Sequence, residues 1–318
     1  MGGYSVTFFH RARVLKAAVA TAAVAAATAT LAGTAFAAGD PAGPAAAREK
    51  AAAAHQSQDQ GVRARAAVTT TPTYPMMGVH KSSSELYMYF SDRQGGFEPR
   101  EHIALDYSSF ADIIDTNHDY DADGYGDGTW FLYKNGRMDF SWFDASGELR
   151  DKQVGKGWNI YNTVLSPGDL GGATETDVIG RDKDGVLWSY LSYPDGTLTK
   201  RARVGGGWNA YTQIAGQGDL SGDGKTDIVA RDKSGALWLY KGTGNYKAPF
   251  ASRTRIGGGW NTYDRVLSVG DLDSDGKADL IARKPNGDLF RYSGTGSAQA
   301  PFAKPVKIGH GFQIYNLL

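Results

Sequence analysis

The chain contains no cysteine, so disulfide bonds cannot contribute to its stability. It also has no excess of charge of one sign, with 34 basic and 34 acidic residues, and this balance does not indicate a nucleic-acid-binding surface. Beyond residue 37 there is no apolar run long enough to cross a membrane. The chain does have 42 glycines and 12% aromatic residues, and this composition favours an all-β fold with many tight turns.

The first 37 residues are organised like a secretory signal peptide. Arg11, Arg13 and Lys16 precede an apolar stretch at 17–31, and a small residue occupies both positions that a signal peptidase inspects before a cut after residue 37. A transmembrane anchor is the alternative, but the stretch is rich in Ala and Thr and only weakly apolar. We expect a secreted, extracellular chain. Removing three basic and no acidic residues leaves 31 basic against 34 acidic residues, a net charge of −3.

Residues 38–73 are rich in Ala, Gln, Thr and Pro and show no apolar periodicity. This composition predicts a disordered leader or linker, which carries Gln56, Gln58 and Gln60. The folded domain is therefore expected to span 74–318.

A repeat of about 50 residues dominates the rest of the chain. The run Gly-x-Gly-Trp-Asn-x-Tyr places Trp158, Trp208 and Trp260 at spacings of 50 and 52, and Phe312 follows another 52 residues on. Each unit contains four strand-like runs bounded by turn residues, which in the clearest copy are 211–220, 227–231, 236–240 and 253–256. Four short strands at a constant period are typical of propeller blades.

The phase of the repeat predicts how the ring closes. The domain opens with three strands only, at 76–80, 86–90 and 102–105, and it ends with one, at 312–318. Pairing between these ends would leave no free sheet edge, whereas an open solenoid or a row of separate sheets would leave several. We therefore predict an all-β, five-bladed β-propeller of four-stranded blades. The repeats are 107–156, 157–206, 207–258 and 259–310, plus a composite blade from 76–106 and 311–318.

An acidic nine-residue loop joins the first two strands of the complete repeats. Loops 119–127, 219–227 and 271–279 place oxygen-bearing side chains at positions 1, 3, 5 and 9 and Gly at position 6, while position 7 offers its carbonyl. This pattern suits a hard cation, although a polar surface turn has a similar composition. The predicted calcium ligands are Asp119, Asp121, Asp123, Tyr125 and Asp127, then Asp219, Ser221, Asp223, Lys225 and Asp227, then Asp271, Asp273, Asp275, Lys277 and Asp279. We expect about three structural Ca²⁺ sites, because loop 169–177 has lost its middle ligands.

The loop followed by strands 227–231 and 236–240 resembles the FG-GAP/VCBS repeats of secreted bacterial proteins and of the integrin α-subunit head. This resemblance covers about 107–318 and implies a calcium-bearing propeller. Integrin propellers have seven blades and longer repeats, so the resemblance does not imply the blade count. The repeat length and the Gly-Gly-Trp-Asn-x-Tyr run are also similar, less specifically, to the five-bladed tachylectin-type lectins.

No catalytic motif accompanies the repeat: there is no Gly-x-Ser-x-Gly, no His-Glu-x-x-His and no phosphate-binding loop. We expect a protein without enzymatic activity, and a hydrolase using paired carboxylates is a remote alternative. An aromatic ring and an amide recur once per blade and suit a sugar. These candidate ligand-binding residues are Trp158, Asn159, Tyr161, Trp208, Asn209, Tyr211, Trp260, Asn261 and Tyr263. We favour the alternative that the Trp packs between sheets and the Asn forms a turn.

The leading functional hypothesis is a monomeric, secreted binding module for glycans of a cell wall or extracellular matrix, gaining avidity from repeated weak sites. The alternative is a secreted protein-interaction factor, such as a protease modulator or a transglutaminase substrate, by analogy with secreted propellers that are crosslinked through exposed glutamines.

Overall fold

The computed structural model describes residues 71–116, 126, 128–143, 149–173 and 175–318. These residues form twenty strands in five antiparallel sheets of four strands each. The prediction of a five-bladed, all-β propeller is confirmed. In the described part of the chain, helical structure consists of single 3₁₀ turns, and no helix has the length and apolarity that a membrane span needs.

The strands follow the chain in order. The domain opens with three strands of blade 1, which are β1 (Met76–His80), β2 (Glu85–Tyr89) and β3 (Glu101–Asp106). Blade 2 consists of β4 (Phe110–Asp115), β5 (Gly128–Tyr133), β6 (Met138–Phe143) and β7 (Leu149–Gly155). Blade 3 consists of β8 (Tyr161–Gly168), β9 (Asp177–Asp182), β10 (Leu187–Tyr190) and β11 (Ala202–Gly205). Blade 4 consists of β12 (Tyr211–Ala215), β13 (Ile228–Asp232), β14 (Leu237–Tyr240) and β15 (Thr254–Gly257). Blade 5 consists of β16 (Arg265–Leu267), β17 (Leu280–Arg283), β18 (Leu289–Tyr292) and β19 (Val306–Gly309), and the chain ends in β20 (Tyr315–Leu317).

Blade 1 is stitched from both ends of the domain. Its strand order is β20-β1-β2-β3, and β20 pairs antiparallel with β1 through Gly78 opposite Leu317 and His80 opposite Tyr315. The backbone N–H of Leu318 extends this pairing by donating to the carbonyl of Met77 (3.1 Å). The C-terminal strand therefore closes the ring, as the phase of the repeat predicts.

The innermost strands are shorter than the sequence pattern suggests. We expect 211–220 as one strand in blade 4, but β12 ends at Ala215. The two glycines that follow have positive backbone angles, with φ of +140° at Gly216 and +100° at Gly218. Such angles turn the chain out of the sheet, so residues 216–220 belong to the acidic loop.

The hydrophobic core is divided into five clusters, one at each contact between neighbouring blades. Between blades 3 and 4, for example, Ile179 and Leu187 pack against Trp208 and Ile228. The cluster between blades 5 and 1 contains Leu317 of the closing strand. Because burying each large apolar side chain stabilises by roughly 1.5–3 kcal/mol, stability is spread around the ring.

The repeated Gly-Trp-Asn run forms the connection between successive blades. Gly207 has φ of +87° and allows a single 3₁₀ turn to begin at Trp208. The backbone N–H of Trp208 donates to the carbonyl of Gly185 in the preceding blade (2.9 Å), and the amide of Asn209 donates to the carbonyl of Lys183 (3.2 Å). The same turn recurs at Trp158, Trp260 and Phe312.

A repeated arginine ties each of three blades to the next. In blade 4 the guanidinium of Arg231 donates to the carbonyls of Trp260 (3.0 Å) and Tyr263 in blade 5. Arg181 and Arg283 make the corresponding pair of hydrogen bonds one blade before and one blade after. These arginines hold the turn and the inner strand of the next blade in a fixed register.

The propeller begins before the predicted boundary at residue 74. The backbone N–H of Tyr74 donates to the carbonyl of Val269 (2.8 Å), and the hydroxyl of Thr73 donates to the carbonyl of Asp271 (2.6 Å). The hydroxyl of Thr71 donates to the carbonyl of Gly276 (2.6 Å). Residues 71–74, hereafter the strap, therefore lie against the acidic loop of blade 5.

Candidate functional site

The acidic loop of blade 5 brings three carboxylates together. Loop 271–279 connects β16 to β17, and one oxygen from each of Asp271, Asp273 and Asp275 lies within 4.8 Å of the other two. Three negative charges at this separation repel one another, and this repulsion is offset in part by Arg291, which pairs with Asp273 (2.8 Å), and by Lys277, which pairs with Asp275 (2.9 Å). Oxygen ligands converging on one point are the arrangement that Ca²⁺ prefers.

Position 3 of the loop provides an independent sign of a bound cation. Oδ1 of Asp273 is buried and has no hydrogen-bond partner. At the same position in the loop of blade 4, Oγ of Ser221 is also buried without a partner. Buried oxygens are rarely left unsatisfied, because desolvation without a compensating bond costs about 1–3 kcal/mol. A divalent cation bound in each loop would satisfy the buried oxygen of that loop. The donor set therefore fits calcium.

Position 1 shapes the loop around this point. The carboxylate of Asp271 accepts hydrogen bonds from the backbone N–H groups of Asp275 (3.1 Å) and Gly276 (2.8 Å). Burial raises the pKa of Asp271 above its ordinary value. The glycine at position 6 has φ of +87° at Gly276 and +80° at Gly224, which is the sharp turn that the pattern predicts.

Position 9 has a different role from the other acidic positions. Asp279 accepts hydrogen bonds from the backbone N–H groups of Leu272 (3.2 Å) and Gly294 (2.9 Å). It therefore anchors its loop to the end of β18, and it is not one of the three carboxylates that converge. Burial raises the pKa of Asp279 to about 7 and that of the equivalent Asp227 to about 6.

The loop without middle ligands keeps this anchor. Asp177 accepts hydrogen bonds from the backbone N–H groups of Leu170 (2.9 Å) and Ser192 (3.3 Å), and burial raises its pKa to about 8. Asp169 accepts a hydrogen bond from the backbone N–H of Gly171 (2.6 Å). The two end carboxylates thus hold a turn. An aspartate at position 9 of the loop therefore does not by itself indicate a metal.

The remaining predicted ligands differ in their surroundings. In blade 4, Asp219 accepts from the backbone N–H groups of Gly222 and Gly224 (2.7 Å each), and Asp223 faces Lys241 (3.4 Å). At position 7 the ammonium of Lys277 pairs with Asp275 (2.9 Å), so its side chain lies beside the cluster, and Lys225 occupies the same position in blade 4. The predicted ligands of blade 2 lie outside the described residues: Asp119, Asp121, Asp123, Tyr125 and Asp127.

The Trp and Tyr of the Trp-Asn-x-Tyr run are placed in the core, and the Asn is exposed. Trp158, Trp208 and Trp260 are only 7%, 6% and 7% exposed, and each indole packs against a tyrosine ring of its own blade. The tyrosines that follow, Tyr161, Tyr211 and Tyr263, are also buried and hydrogen-bond to a second tyrosine hydroxyl. Asn159 is adjacent to Gly136, and Asn261 donates to the carbonyl of Lys233 (3.1 Å). The packing alternative thus describes these residues, and the indole faces are closed to a sugar.

Two partly exposed tryptophans are covered by arginines. The guanidinium carbon of Arg201 lies 4.1 Å from the ring centre of Trp188, and that of Arg253 lies 4.2 Å from the ring centre of Trp238. Each indole N–H donates to an aspartate, Asp182 or Asp232 (2.8 Å). These residues form cation–π stacks at the blade edges and do not present a bare aromatic platform.

The inner strands enclose a cavity of about 210 Å³ along the central channel. Asp112 of β4, Thr163 of β8 and Arg265 of β16 line it together with apolar residues. Burial raises the pKa of Asp112 to about 6 and lowers the pKa of Arg265. The sequence analysis did not identify these cavity residues. One signal was available: the residue type two positions after the first aromatic residue of each inner strand differs in every repeat.

Comparison with family models agrees with the loops. Residues 219–282 match the FG-GAP-like repeat, and residues 265–300 match the FG-GAP repeat. The chain is a five-bladed propeller in which residues 219–300 match FG-GAP repeats. The matched FG-GAP segments fall in blades 4 and 5 and contain both of the acidic loops that the structure describes. No curated protein matches the chain.

The solved structures that resemble this propeller are distant in sequence. The fungal lectin of Aleuria aurantia, a six-bladed propeller that recognises fucose, is 12% identical with a TM-score of 0.41, over 76% of this chain and 80% of that one. AofleA from Arthrobotrys oligospora is 9% identical with a TM-score of 0.41, over 76% and 73%. Yeast RCC1 (Prp20), solved with Kap60, is 12% identical with a TM-score of 0.35, over 71% of this chain and only 57% of that one. Likenesses at this level say nothing about what this chain binds.

Proposed function

We propose that this protein is a secreted, calcium-stabilised binding module without enzymatic activity, and that its partner is an extracellular glycan. The observation that carries the calcium part is the convergence of Asp271, Asp273 and Asp275, with Oδ1 of Asp273 buried and unpartnered. Secretion is supported by the signal-peptide pattern of residues 1–37, and calcium outside cells is abundant enough to fill weak sites.

The loop residues would form a calcium site that holds loop 271–279 in one conformation, hereafter the calcium clip. The carboxylates of Asp271, Asp273 and Asp275 and the main-chain carbonyl of Lys277 would hold the ion, which neutralises their mutual repulsion. Loop 271–279 joins two strands of blade 5 and receives hydrogen bonds from the strap. Holding this loop rigid would therefore stabilise both the blade and the start of the domain. This role is structural, because a cation fully surrounded by protein oxygens leaves little room for a substrate.

A glycan partner is supported by the form of the molecule. The ring is closed and carries a polar cavity at its centre, which is the kind of place where small ligands bind. The buried tryptophans exclude stacking at the repeated indoles, so recognition would rely on polar groups. A secreted protein partner is the alternative outcome of the experiment below.

The test is retention on insoluble cell-wall and matrix polysaccharides, and on a glycan array, with the full secreted chain in 5–10 mM calcium (roughly tenfold above the weakest expected dissociation constant). We expect retention that a soluble fragment of the same glycan competes away. Prior removal of calcium by a chelator should weaken it, because the clip loop loosens. If no glycan binds, even at millimolar concentration and without a competitor, the glycan proposal is refuted. If the chain is retained equally well after chelation, glycan binding does not depend on the calcium clip.

A further inference from the structure

One position of the inner strand has a different residue type in every blade. Each inner strand starts or is preceded by an aromatic residue, and the second residue after it is Asp112, Thr163, Gln213, Arg265 or Leu317 in successive repeats. The residue that follows is apolar in each case. An acid, a hydroxyl, an amide, a guanidinium and an alkyl group thus occupy equivalent places in one ring. Blade geometry alone does not require this variety, since the aromatic residue before this position and the apolar residue after it recur in every repeat.

Two of these residues carry opposite charges and attract each other without forming a direct ion pair. Asp112 and Arg265 both line the channel and are partly exposed to it, yet no ion pair joins them among the described residues. The only hydrogen bond that the carboxylate of Asp112 accepts from described residues comes from the backbone N–H of Ile113 (3.0 Å). Nε of Arg265 and the hydroxyl of nearby Tyr107 are buried without a hydrogen-bond partner. Charged groups in such a setting are normally paired, because desolvation is unfavourable.

The other members of the ring are already satisfied. The side-chain amide of Gln213 donates to the carbonyl of Asp264 (2.9 Å) and accepts from the backbone N–H of Val266 (2.8 Å). The hydroxyl of Thr163 accepts from Arg181 (3.0 Å). The unsatisfied capacity is therefore concentrated on Asp112, Arg265 and Tyr107.

The cavity also has an orientation. Tyr74 and Pro75 line the end where β16 runs into the acidic loop, and the backbone N–H of Tyr74 is bonded there to Val269. Asp112 and Arg265 lie near the start of their strands, toward the opposite end of the channel. A ligand reaching the charged pair would therefore enter from the face that carries the 3₁₀ turns.

We infer that the channel between Asp112 and Arg265 binds a single sugar unit, an inference that rests on the proposed glycan function. A hydroxyl group both donates and accepts, so adjacent hydroxyls of one ring can donate to Asp112 while accepting from Arg265. The carbon face of the ring would lie against the apolar wall that includes Val164 and Val266. The volume of about 210 Å³ is below the roughly 300–1,000 Å³ of sites for larger ligands, which restricts the site to one small ring.

The experiment uses the full chain in calcium and a panel of monosaccharides: neutral hexoses, 6-deoxyhexoses, N-acetylhexosamines and hexuronic acids, each at millimolar concentration. Binding is followed by ligand-observed NMR and by titration calorimetry. The variants are Asp112→Asn and Arg265→Met, and the matched control is Arg255→Met, an exposed arginine on an outer strand. We expect one sugar class to bind, and the two channel variants to weaken it by about tenfold or more while the control does not.

The outcomes separate the site from the function. Thermal melts check that the variants fold, because removing one charge leaves the opposite charge in the channel without its counter-charge. If a sugar binds equally to all variants, the channel inference is wrong and the glycan function stands. If no monosaccharide of the panel binds while polysaccharides are retained, the channel inference is wrong and the glycan function stands. If polysaccharides are not retained either, the proposed function fails along with the inference.

Discussion

Asp275 offers the sharpest test of the calcium clip. Its carboxylate is exposed and contacts only the backbone N–H and the ammonium of Lys277 among the described residues. Exposed ion pairs contribute little to stability. Asp275→Asn should therefore leave the melting temperature in chelator almost unchanged. It nevertheless removes one of three converging carboxylates and with it much of the affinity of the loop for calcium.

The size of the effect follows from linkage between binding and folding. Extracellular calcium modules have dissociation constants of about 10⁻⁴–10⁻³ M, so calcium at about 10 mM exceeds the constant by roughly ten to a hundred times. An ion that binds only the folded state then stabilises it by about 1.4–2.7 kcal/mol. In a domain of this size that amounts to a rise of about 3–11 °C in Tm for each site. The wild type should show the sum over its sites, and Asp275→Asn should lose the contribution of one.

The assay is differential scanning calorimetry in chelator and in 10 mM calcium (roughly the excess used above), with magnesium at equal ionic strength as a control for screening. Asp288→Asn is the matched variant, because Asp288 also has a lysine partner, Lys307, but lies outside any acidic loop. It should keep the full calcium response. The reasoning is refuted if calcium does not raise the wild-type Tm beyond magnesium, or if Asp275→Asn responds as the wild type does.

Three further predictions concern the ring itself. Arg231→Met should lower the free energy of unfolding by about 2–4 kcal/mol, because two carbonyls of blade 5 lose their donor, whereas Arg255→Met should change it little in the same urea titration. Deleting residues 312–318 removes Phe312, Tyr315 and Leu317 from the core, a loss of roughly 5–9 kcal/mol, and should leave a chain that melts without cooperativity or self-associates through β1; a monomer with a sharp transition would contradict this. Burial holds the pKa of Asp177 near 8 against about 4 in the unfolded chain, so the folded state binds more protons between these values. Stability should therefore fall as pH rises from 5 to 8, and unfolding titrations of Asp177→Asn should show a smaller slope than those of the wild type.

The architecture was largely accessible from the sequence. The period of about 50 residues, the four strand-like runs per unit and the split of one blade between the chain ends are properties of local pattern and repetition, and the structure shows all three. The main error concerned strand length in blade 4, where the predicted strand 211–220 extends five residues past the end of β12 at Ala215. The positive φ angles of Gly216 and Gly218 end the strand, and a hydrophobic pattern does not report backbone angles.

The sites were accessible only in part. The pattern of loop 271–279 predicts its converging carboxylates, yet it does not distinguish these three positions from Asp279, whose carboxylate accepts hydrogen bonds from Leu272 and Gly294. Spacing alone likewise leaves open whether a repeated tryptophan faces solvent or the next blade. The inter-blade hydrogen bonds of Arg231 depend on the packing angle between two sheets, and no single repeat encodes that angle.

The contrast between repeated and unrepeated residues points to where specificity lies. Every contact between neighbouring blades is the same geometric problem, and residues that solve it, such as Arg231 and Trp208, return unchanged in successive units. The channel is different, because all blades contribute to one shared space and each faces the others' side chains. Asp112 and Arg265 occupy equivalent positions there but carry opposite charges, and neither completes its hydrogen bonds within the described residues. A residue that departs from the repeat without improving the fold needs another reason to be present, and a polar ligand in the channel supplies one.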